Sequence, residues 1–285
     1  MIHESAHIRV SNEFGIATLW LGFPGEPVNA LDSARLRELD AAIAALERNP
    51  HANIVVVRSS KPAGFCAGLH PDAVASLSTA VDRAAFAWLG QQVFARLAAL
   101  RATTVAMIDG PCLGAGLELA LACDYRLCVA KISTHLGFPE RLSCFGGTPR
   151  LRNRIGRRQA KSLRDSGRTL SGREARTLGF VDRAFCERRA KIELRTFLDE
   201  LECSERMPRR VELVGLAEER RAFAQVLLAG RASDGDFAPM GIAVALARGF
   251  ITPLEAEQVR SRVKPPVAKH LEAAHGIAQR ELVAA

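Results

Sequence analysis

The chain has 285 residues, of which 48% are hydrophobic and 25% are charged, so it can bury a substantial core as one compact domain. No apolar run reaches the length of a membrane span, because even the stretch 105–129 contains Asp109, Glu118, Asp124 and Arg126. The net charge of +8 favours anionic partners, but aromatic residues for base stacking make up only 6% of the chain. We therefore expect a soluble protein without a membrane segment, and we disfavour nucleic acid as its main partner.

The first part of the chain alternates strand and helix patterns. Residues His7–Val10 and Gly15–Leu21 alternate apolar and polar side chains, which predicts a β-hairpin. Helical spacing follows over Ser33–Leu46, with Asp32 as its N-cap. Ile54–Val57 is a short β-branched run, typical of a strand buried on both faces of a parallel sheet. Together these segments predict a βαβ unit.

The alternation of helices and strands continues beyond this unit. The spacing predicts helices over Ala85–Leu100 and Gly116–Cys123, and buried strands over Thr104–Ile108 and Tyr125–Val129. The overall pattern is that of an α/β fold, a sheet flanked by helices.

Helical patterns dominate the rest of the chain. Gly146-Gly-Thr148 leads into a helix over Arg157–Arg168, and a helix over Ser171–Leu178 starts with a capping box formed by Ser171 and Glu174. No strand pattern occurs after about Lys191, so we divide the chain into an α/β core over residues 1–190 and a helical region over residues 191–285.

The cysteines and histidines do not form a recognisable metal site. The chain has seven cysteines, mostly in apolar stretches, and seven histidines, without a CxxC or HExxH arrangement. We expect reduced, buried thiols at Cys66, Cys112, Cys123, Cys128 and Cys144, and no metal. The N-terminus has neither a signal-peptide nor a transit-peptide pattern, which predicts a cytoplasmic protein.

Three stretches with glycines near the ends of predicted strands carry the candidate chemistry, since open α/β sheets bind ligands there. Gly64–His70 forms a loop, and Asp109–Asp124 contains a Gly-rich turn that opens into a helix, where free N–H groups and the helix dipole favour negative charge. Glu118 lies in the first turn of that helix, and Glu140 follows a proline in the third stretch, 136–140. Each acid taken alone has an ordinary explanation, as a helix-stabilising or a surface carboxylate.

In combination these stretches resemble the crotonase superfamily, the enoyl-CoA hydratase/isomerase family. The family's patterns are F-C-A-G-x-D, G-x-x-x-G-G-G-x-E-L-A-x-x-C-D, F-G-x-P-E, G-G-T-x-R-L and G-x-x-x-x-A-x-x-x-G-L-V-D, and this chain has close matches to all five in the same order. The matching segments are Phe65–Gly68, Gly110–Asp124, Leu136–Glu140, Gly146–Leu151 and Glu174–Asp182.

The resemblance implies a crotonase-like spiral of ββα units with a helical C-terminal region, usually assembled as homotrimers or homohexamers. Apolar residues suited to such subunit contacts occur at Phe223, Val226, Leu227 and Leu228. It also implies coenzyme A as part of the substrate, with no other cofactor.

The resemblance assigns roles to individual residues. It implies that the backbone N–H groups of Leu69 and Ala115 form an oxyanion hole for the thioester, and that Glu118 and Glu140 are the catalytic acids. Coenzyme A would bind along the first loop; the loop residues assigned to this contact are Phe65, Ala67, Gly68 and His70.

Two departures from the family pattern affect the site. His70 replaces the aspartate of the first loop, where contact with adenine or solvent is favoured over a role as a base. The segment from Glu140 to Gly146 is several residues shorter than usual, which either displaces Glu140 or reshapes the acyl pocket.

We therefore expect an enzyme that adds water to a 2-enoyl-CoA, because isomerases of the family often use one acid and this chain has both. The alternatives within the family are a Δ3,Δ2-enoyl-CoA isomerase, a thioester hydrolase and a decarboxylase. A different class, a non-catalytic subunit that binds acyl-CoA or RNA, would have no need of both acids in apolar surroundings.

Overall fold

A computed structural model describes residues 1–22, 24–203 and 215–229, with side chains as far as residue 225. Its strands are β1 (His3–Glu4), β2 (Ile8–Glu13), β3 (Ile16–Leu21), β4 (Ile54–Ser59), β5 (Thr103–Asp109), β6 (Cys112–Leu113), β7 (Tyr125–Val129), β8 (His135–Gly137), β9 (Thr169–Ser171) and β10 (Arg183–Phe185). Its helices are α1 (Ser33–Glu47), α2 (Pro71–Ser76), α3 (Ala80–Ala98), α4 (Ala115–Ala122), α5 (Gly147–Ile155), α6 (Arg157–Ser166), α7 (Gly172–Thr177), α8 (Ala190–Glu202) and α9 (Leu216–Ala229).

The main sheet has seven strands in the order β1-β2-β3-β4-β5-β7-β10. The first three strands pair antiparallel, and each later neighbour pairs parallel, with Ile16 opposite Ile54 and Val56 opposite Val105. Successive residues of β4 face opposite sides: Val55 packs in one hydrophobic cluster and Val56 in the other. Both faces of the strand are therefore buried, as its continuous β-branched sequence predicts. The predicted α/β fold with crotonase-like architecture is confirmed.

A second, smaller sheet forms beside the Gly-rich turn. It contains β6, β8 and β9, with β6 parallel to β8 and β8 antiparallel to β9. A bridge between Cys66 and Cys112 connects the first loop to this sheet. These strands have only two or three residues, too few to show an alternating pattern, and the sequence did not predict them.

The helix boundaries follow local capping signals. Asp32 caps α1 by accepting a hydrogen bond from the N–H of Arg35 at 2.7 Å, and Ser171 and Glu174 form the predicted capping box of α7. Helix α3 starts five residues before the predicted position, because Thr79 and Asp82 form a second capping box. Helix α6 corresponds to the predicted helix over Arg157–Arg168, and the glycine at 156 separates it from α5, which was not predicted.

The two C-terminal helices pack on different parts of the core. Phe197 and Leu198 of α8 pack against the face of the sheet that carries Val56 and Val105. Helix α9 packs against α3, and buried Arg83 of α3 donates to the carbonyl of Ala224. Residues 204–214 and 230–285 of the predicted helical region lie outside the described residues. Among the helices described, none is both long and apolar enough to cross a bilayer.

The cysteines are reduced, and the five that were expected to be buried are buried. Burial raises the pKa of the Cys66 and Cys123 thiols to about 12, so these groups are neutral at physiological pH.

Candidate active site

The first loop is fixed by backbone hydrogen bonds to its neighbours. The N–H groups of Phe65 and Cys66 both donate to the carbonyl of Pro111, at 3.0 and 3.1 Å. Further along, Leu31 pairs with Leu69, and the bonds of this bridge use the Gly68 carbonyl and the His70 N–H. The N–H of Leu69 therefore points away from Leu31.

Close approach of two backbones brings the Gly-rich turn to this loop. A Cβ atom added to Gly116, in the first turn of α4, would lie 2.7 Å from Cys66 Cβ and 2.8 Å from its carbonyl carbon. Only glycine allows this separation. Gly114, which precedes the helix, has φ of +49°, a second requirement for glycine.

Two backbone N–H groups are left without acceptors at this junction. Among the described residues, neither the amide of Leu69 nor that of Ala115 donates to another protein group. Ala115 is the first residue of α4, where helical amides have no partner within the helix. Both residues line the same cavity. The two N–H groups can therefore donate hydrogen bonds to a ligand oxygen at the positive end of the α4 dipole.

Glu118 lies one turn into α4 and is 1% exposed. Its carboxyl group accepts hydrogen bonds from the backbone N–H groups of Cys144 (3.1 Å), Phe145 (2.7 Å) and Gly147 (2.8 Å). Ser143 Oγ lies 3.0 Å from its Oε2 atom. The shortened segment after Glu140 therefore wraps around the first acid.

Glycine at 147 is a steric requirement of this arrangement. A Cβ atom added there would lie 2.7 Å from both Glu118 Cγ and Ser143 Oγ. A side chain at this position would push the loop away from the acid.

Burial controls the protonation of Glu118. Burial removes the water around the Glu118 carboxyl group and, together with the negative charge of Glu219, raises its pKa to about 8. The three backbone N–H donors act in the opposite direction, because they stabilise the carboxylate. Burial therefore favours the protonated form of Glu118.

Glu140 is positioned by a tight turn. The N–H of Arg141 donates to the carbonyl of Phe138 at 2.9 Å, and Arg141 itself has φ of +57°, in the left-handed region. The Glu140 carboxylate lies against Gly114, since a Cβ atom added to Gly114 would be 3.1 Å from Oε2. The shortened loop therefore retains Glu140 beside the Gly-rich turn.

Both acids and both unpartnered amides line one cavity. Its volume of about 20 Å³ is close to that of a single water site. The residues that line it are Leu69, Gly114, Ala115, Glu118, Glu140, Leu142, Ser143, Cys144 and Phe223. The four residues predicted to form the oxyanion hole and the acid pair are thus brought together.

The residues expected to bind coenzyme A lie on the first loop, outside this set. Phe65, Ala67 and Gly68 are buried. His70 is also buried: its Nδ1 atom accepts from the N–H of Asp72 at 3.2 Å, and its Nε2 atom lies 3.3 Å from Glu26. The ring therefore caps α2 and contacts a carboxylate, where the sequence led us to expect adenine or solvent. Contact of the loop with coenzyme A remains a prediction.

Sequence reasoning missed two polar residues of the site, Ser143 and Glu219. Glu219 lies on α9, is 8% exposed, and accepts from the N–H groups of Gly146 (2.5 Å) and Thr148 (2.8 Å). The sequence offers a single weak signal: Leu216 and Phe223 lie three residues before and four residues after Glu219, which places all three on one face of a helix.

Phe223, expected at a subunit contact, is fully buried and lines the cavity. The side chains of Val226, Leu227 and Leu228 lie outside the described residues. Within the described part of the chain, no three His, Cys, Asp or Glu side chains converge to hold a metal ion.

Comparison with known proteins assigns the chain to a family. Residues 12–211 match the family model described as enoyl-CoA hydratase/isomerase. The fatty acid oxidation complex subunit alpha of Vibrio campbellii is 39% identical over 186 residues, which are 64% of this chain and 26% of that protein. The corresponding subunit of Vibrio cholerae is 41% identical over 171 residues, 58% of this chain and 24% of that protein. The chain thus matches about a quarter of the length of these relatives.

Solved structures show the same fold. An enoyl-CoA hydratase/carnithine racemase from Magnetospirillum magneticum matches with a TM-score of 0.67 at 22% identity, over 93% of this chain and 96% of that chain. An enoyl-CoA hydratase from Bacillus anthracis matches with a TM-score of 0.64 at 22% identity, over 90% of each chain. With the family model matching well over half of its length, the chain belongs to the enoyl-CoA hydratase/isomerase family, the crotonase family.

Proposed function

We propose that this protein is an enoyl-CoA hydratase, which adds water across the conjugated double bond of a 2-enoyl-CoA. One observation carries the proposal: two acids and two unpartnered backbone amides line a single small cavity. An enolate intermediate needs donors for its oxygen, and hydration needs a proton acceptor and a proton donor.

The amides of Leu69 and Ala115 would bind the thioester oxygen. Negative charge develops on that oxygen when hydroxide bonds to C3. Each fixed donor in a site without bulk water lowers the barrier by roughly 3–4 kcal/mol. Only backbone groups are required, so leucine and alanine side chains at these positions are compatible with the role.

The two acids would divide the proton transfers. Glu140 takes a proton from the water as its oxygen bonds to C3, and the double-bond electrons move onto the thioester oxygen. The enolate then collapses, and C2 takes a proton from Glu118. The raised pKa of Glu118, about 8, supports its assignment as the donor. Proton exchange with solvent after product release returns both acids to their starting states.

The size of the cavity bears on the acyl group. A volume of about 20 Å³ accommodates one water but no acyl chain, so substrate binding must displace side chains that line it. Short acyl groups need the least displacement. We therefore expect crotonyl-CoA to be a better substrate than long-chain enoyl-CoA.

Activity on crotonyl-CoA, followed by loss of the conjugated thioester absorbance, tests the proposal. Glu118→Gln and Glu140→Gln should each lower kcat by about 10²–10⁴-fold, the usual range for lost acid–base catalysis, with little change in binding. The matched control is Glu218→Gln, an exposed acid on α9, which should retain wild-type turnover.

Other outcomes would favour the alternatives. If a 3-enoyl-CoA is converted and only one of the two acids is needed, the enzyme is an isomerase. If no acyl-CoA reaction depends on either acid, the hydratase proposal is wrong and a binding role is favoured.

Coenzyme A binding and assembly complete the proposal. The first loop would hold coenzyme A while basic side chains meet its phosphates, so affinity should fall as salt rises. Binding that is insensitive to salt would contradict this expectation.

We also expect a homotrimer or homohexamer, which sedimentation at micromolar concentration would test; a monomer would contradict it.

A further inference from the structure

Glu219 approaches the catalytic centre from behind the cavity. Its carboxyl group is buried but is not part of the cavity lining. Its Oε1 atom accepts from the N–H of Gly146 and its Oε2 atom from that of Thr148. The N-terminal end of α5 therefore binds two carboxyl groups, Glu118 on the cavity side and Glu219 on the far side.

Ser143 joins these two carboxyl groups. Its Oγ atom lies 3.0 Å from Glu118 Oε2 and 2.9 Å from Glu219 Oε2, and it accepts from the N–H of Thr148 at 3.2 Å. A serine hydroxyl has one hydrogen, so it can make one full hydrogen bond to only one of the two carboxyl groups. The hydrogen of a carboxylic acid would complete the other oxygen–oxygen contact. The geometry therefore favours one proton on the Glu118–Glu219 pair.

The charges around the pair lead to the same count. Arg150 of α5 is buried, and its Nη1 atom donates to the carbonyl of Phe145 at 2.8 Å. One shared proton leaves the pair with a charge of −1, which the guanidinium balances. Two ionised carboxylates would leave a buried net negative charge, which is costly in the protein interior.

The remaining groups near the pair are two thiols, one amide and two groups of opposite charge, Arg220 and Glu140, so they add no net charge. Burial raises the pKa of the Cys144 and Cys123 thiols well above the usual value, so both are neutral. Helix α3 contributes Gln91, which does not titrate, and Arg220 of α9 donates to its side-chain oxygen at 2.9 Å. Glu140 faces the pair across the cavity.

We propose that Glu219 is a positioning residue that shares one proton with Glu118 through Ser143 and so sets the pH range in which Glu118 donates a proton. The kinetic part of this inference rests on the proposed hydratase function, whereas the shared proton itself does not. The role differs from a purely structural one. Removal of the Glu219 charge should shift the pH at which Glu118 titrates, in addition to weakening the packing of α9.

Infrared titration of the full chain, with ¹³C-labelled glutamate side chains, tests the shared proton without any substrate. The wild type should show the C=O stretch of a buried carboxylic acid that persists above neutral pH and is lost near pH 8, in line with the raised pKa of Glu118, about 8. This band should be absent in Glu118→Gln at pH 7. In Glu219→Gln, which lacks the second negative charge, the midpoint should fall by about one pH unit or more. Glu218→Gln provides the matched control and should leave it unchanged.

Kinetics supply the second readout. The basic limb of the kcat/KM profile for crotonyl-CoA should move to lower pH in Glu219→Gln by the same amount as the infrared midpoint, with KM little changed. A wild-type protein without a protonated buried carboxyl group at pH 7 would overturn the inference, even if Glu219→Gln does not fold. An unchanged midpoint in a folded Glu219→Gln would overturn it as well. A protonated pair without hydration of any enoyl-CoA would instead overturn the proposed function and leave the shared proton in place.

Discussion

The two acids of the cavity are held by different kinds of structure. Glu118 lies on a regular helix, and a separate loop, residues 143–147, surrounds its carboxyl group with backbone donors. Glu140 instead lies on a turn closed by a left-handed residue, Arg141, and its carboxylate rests against Gly114. The groups around the Glu118 carboxyl hold it in place and influence its protonation, whereas the position of Glu140 is set by the turn in its own backbone.

This difference explains how a shortened loop is compatible with an acid pair. The residues retained after Glu140 supply the amides that bind Glu118, and the Arg141 conformation turns the chain quickly enough to reach them. The loop therefore serves both acids at once. Mutations at Glu118 and at the Glu140 turn should therefore change the stability of the protein by different amounts.

The largest effect is expected when Glu118 is replaced by leucine. The change leaves the N–H groups of Cys144, Phe145 and Gly147 buried without an acceptor, at about 1–3 kcal/mol for each unsatisfied group. With three such groups, we expect the free energy of unfolding to fall by about 3–9 kcal/mol in urea denaturation. Glu218→Leu, at an exposed position, should change it by about 0.5 kcal/mol or less. Equal losses in both variants would show that the loop does not depend on Glu118.

An intermediate effect is expected for the pH dependence of stability. The folded-state pKa of Glu118, about 8, lies above the ordinary value of 4.5, so the folded state binds more protons than the unfolded state between these limits. The contribution of this proton to the free energy of unfolding is present in full below about pH 4.5 and is lost as pH rises through 8.

Comparison of the wild type with Glu118→Gln isolates this effect. The difference in unfolding free energy should change by up to about 1.4 kcal/mol for each pH unit within the window. Parallel stability curves for the two proteins from pH 5 to 8 would contradict the raised pKa. Glu218→Gln should run parallel to the wild type.

The smallest effect is expected at the Glu140 turn. Arg141→Gly removes the steric cost of a side chain at φ of +57°, although the unfolded chain gains freedom. We expect a gain of about 1 kcal/mol or less in thermal unfolding. Arg141→Ala removes the same charge but keeps Cβ, so it should give no gain. A gain of equal size in both variants would indicate that charge, and not backbone strain, is relieved.

The parts of the fold that were predicted correctly depend on local signals. Asp32 and the Ser171–Glu174 capping box mark their helices within a few residues, and Ile54–Val57 identifies a strand buried on both faces. Strand β8 has three residues and forms only because β6 and β9 lie beside it. Its formation depends on contacts between distant segments, which no local pattern shows.

The residues of the candidate site divide in the same way, into those marked by local patterns and those brought in by contacts between distant segments. Glu118 and Glu140 were singled out because each lies in a Gly- or Pro-containing segment that resembles a motif of the family. Ser143 was not singled out, because its role depends on the meeting of α4, α5 and α9. Glu219 reaches the site only because α9 packs along α3, and neither position nor composition reveals this.

Helix α9 places part of the site beyond the boundary of the family match. The match ends at residue 211, whereas α9 begins at Leu216 and brings both Glu219 and Phe223 to the cavity region. If the proposed roles of Glu219 and of the cavity hold, changes in α9 would alter the working pH and the room for the acyl group while every family motif stays intact. Two homologues with identical motifs can diverge in physiology through this helix, which makes it a natural place for evolutionary tuning and a practical target for engineering.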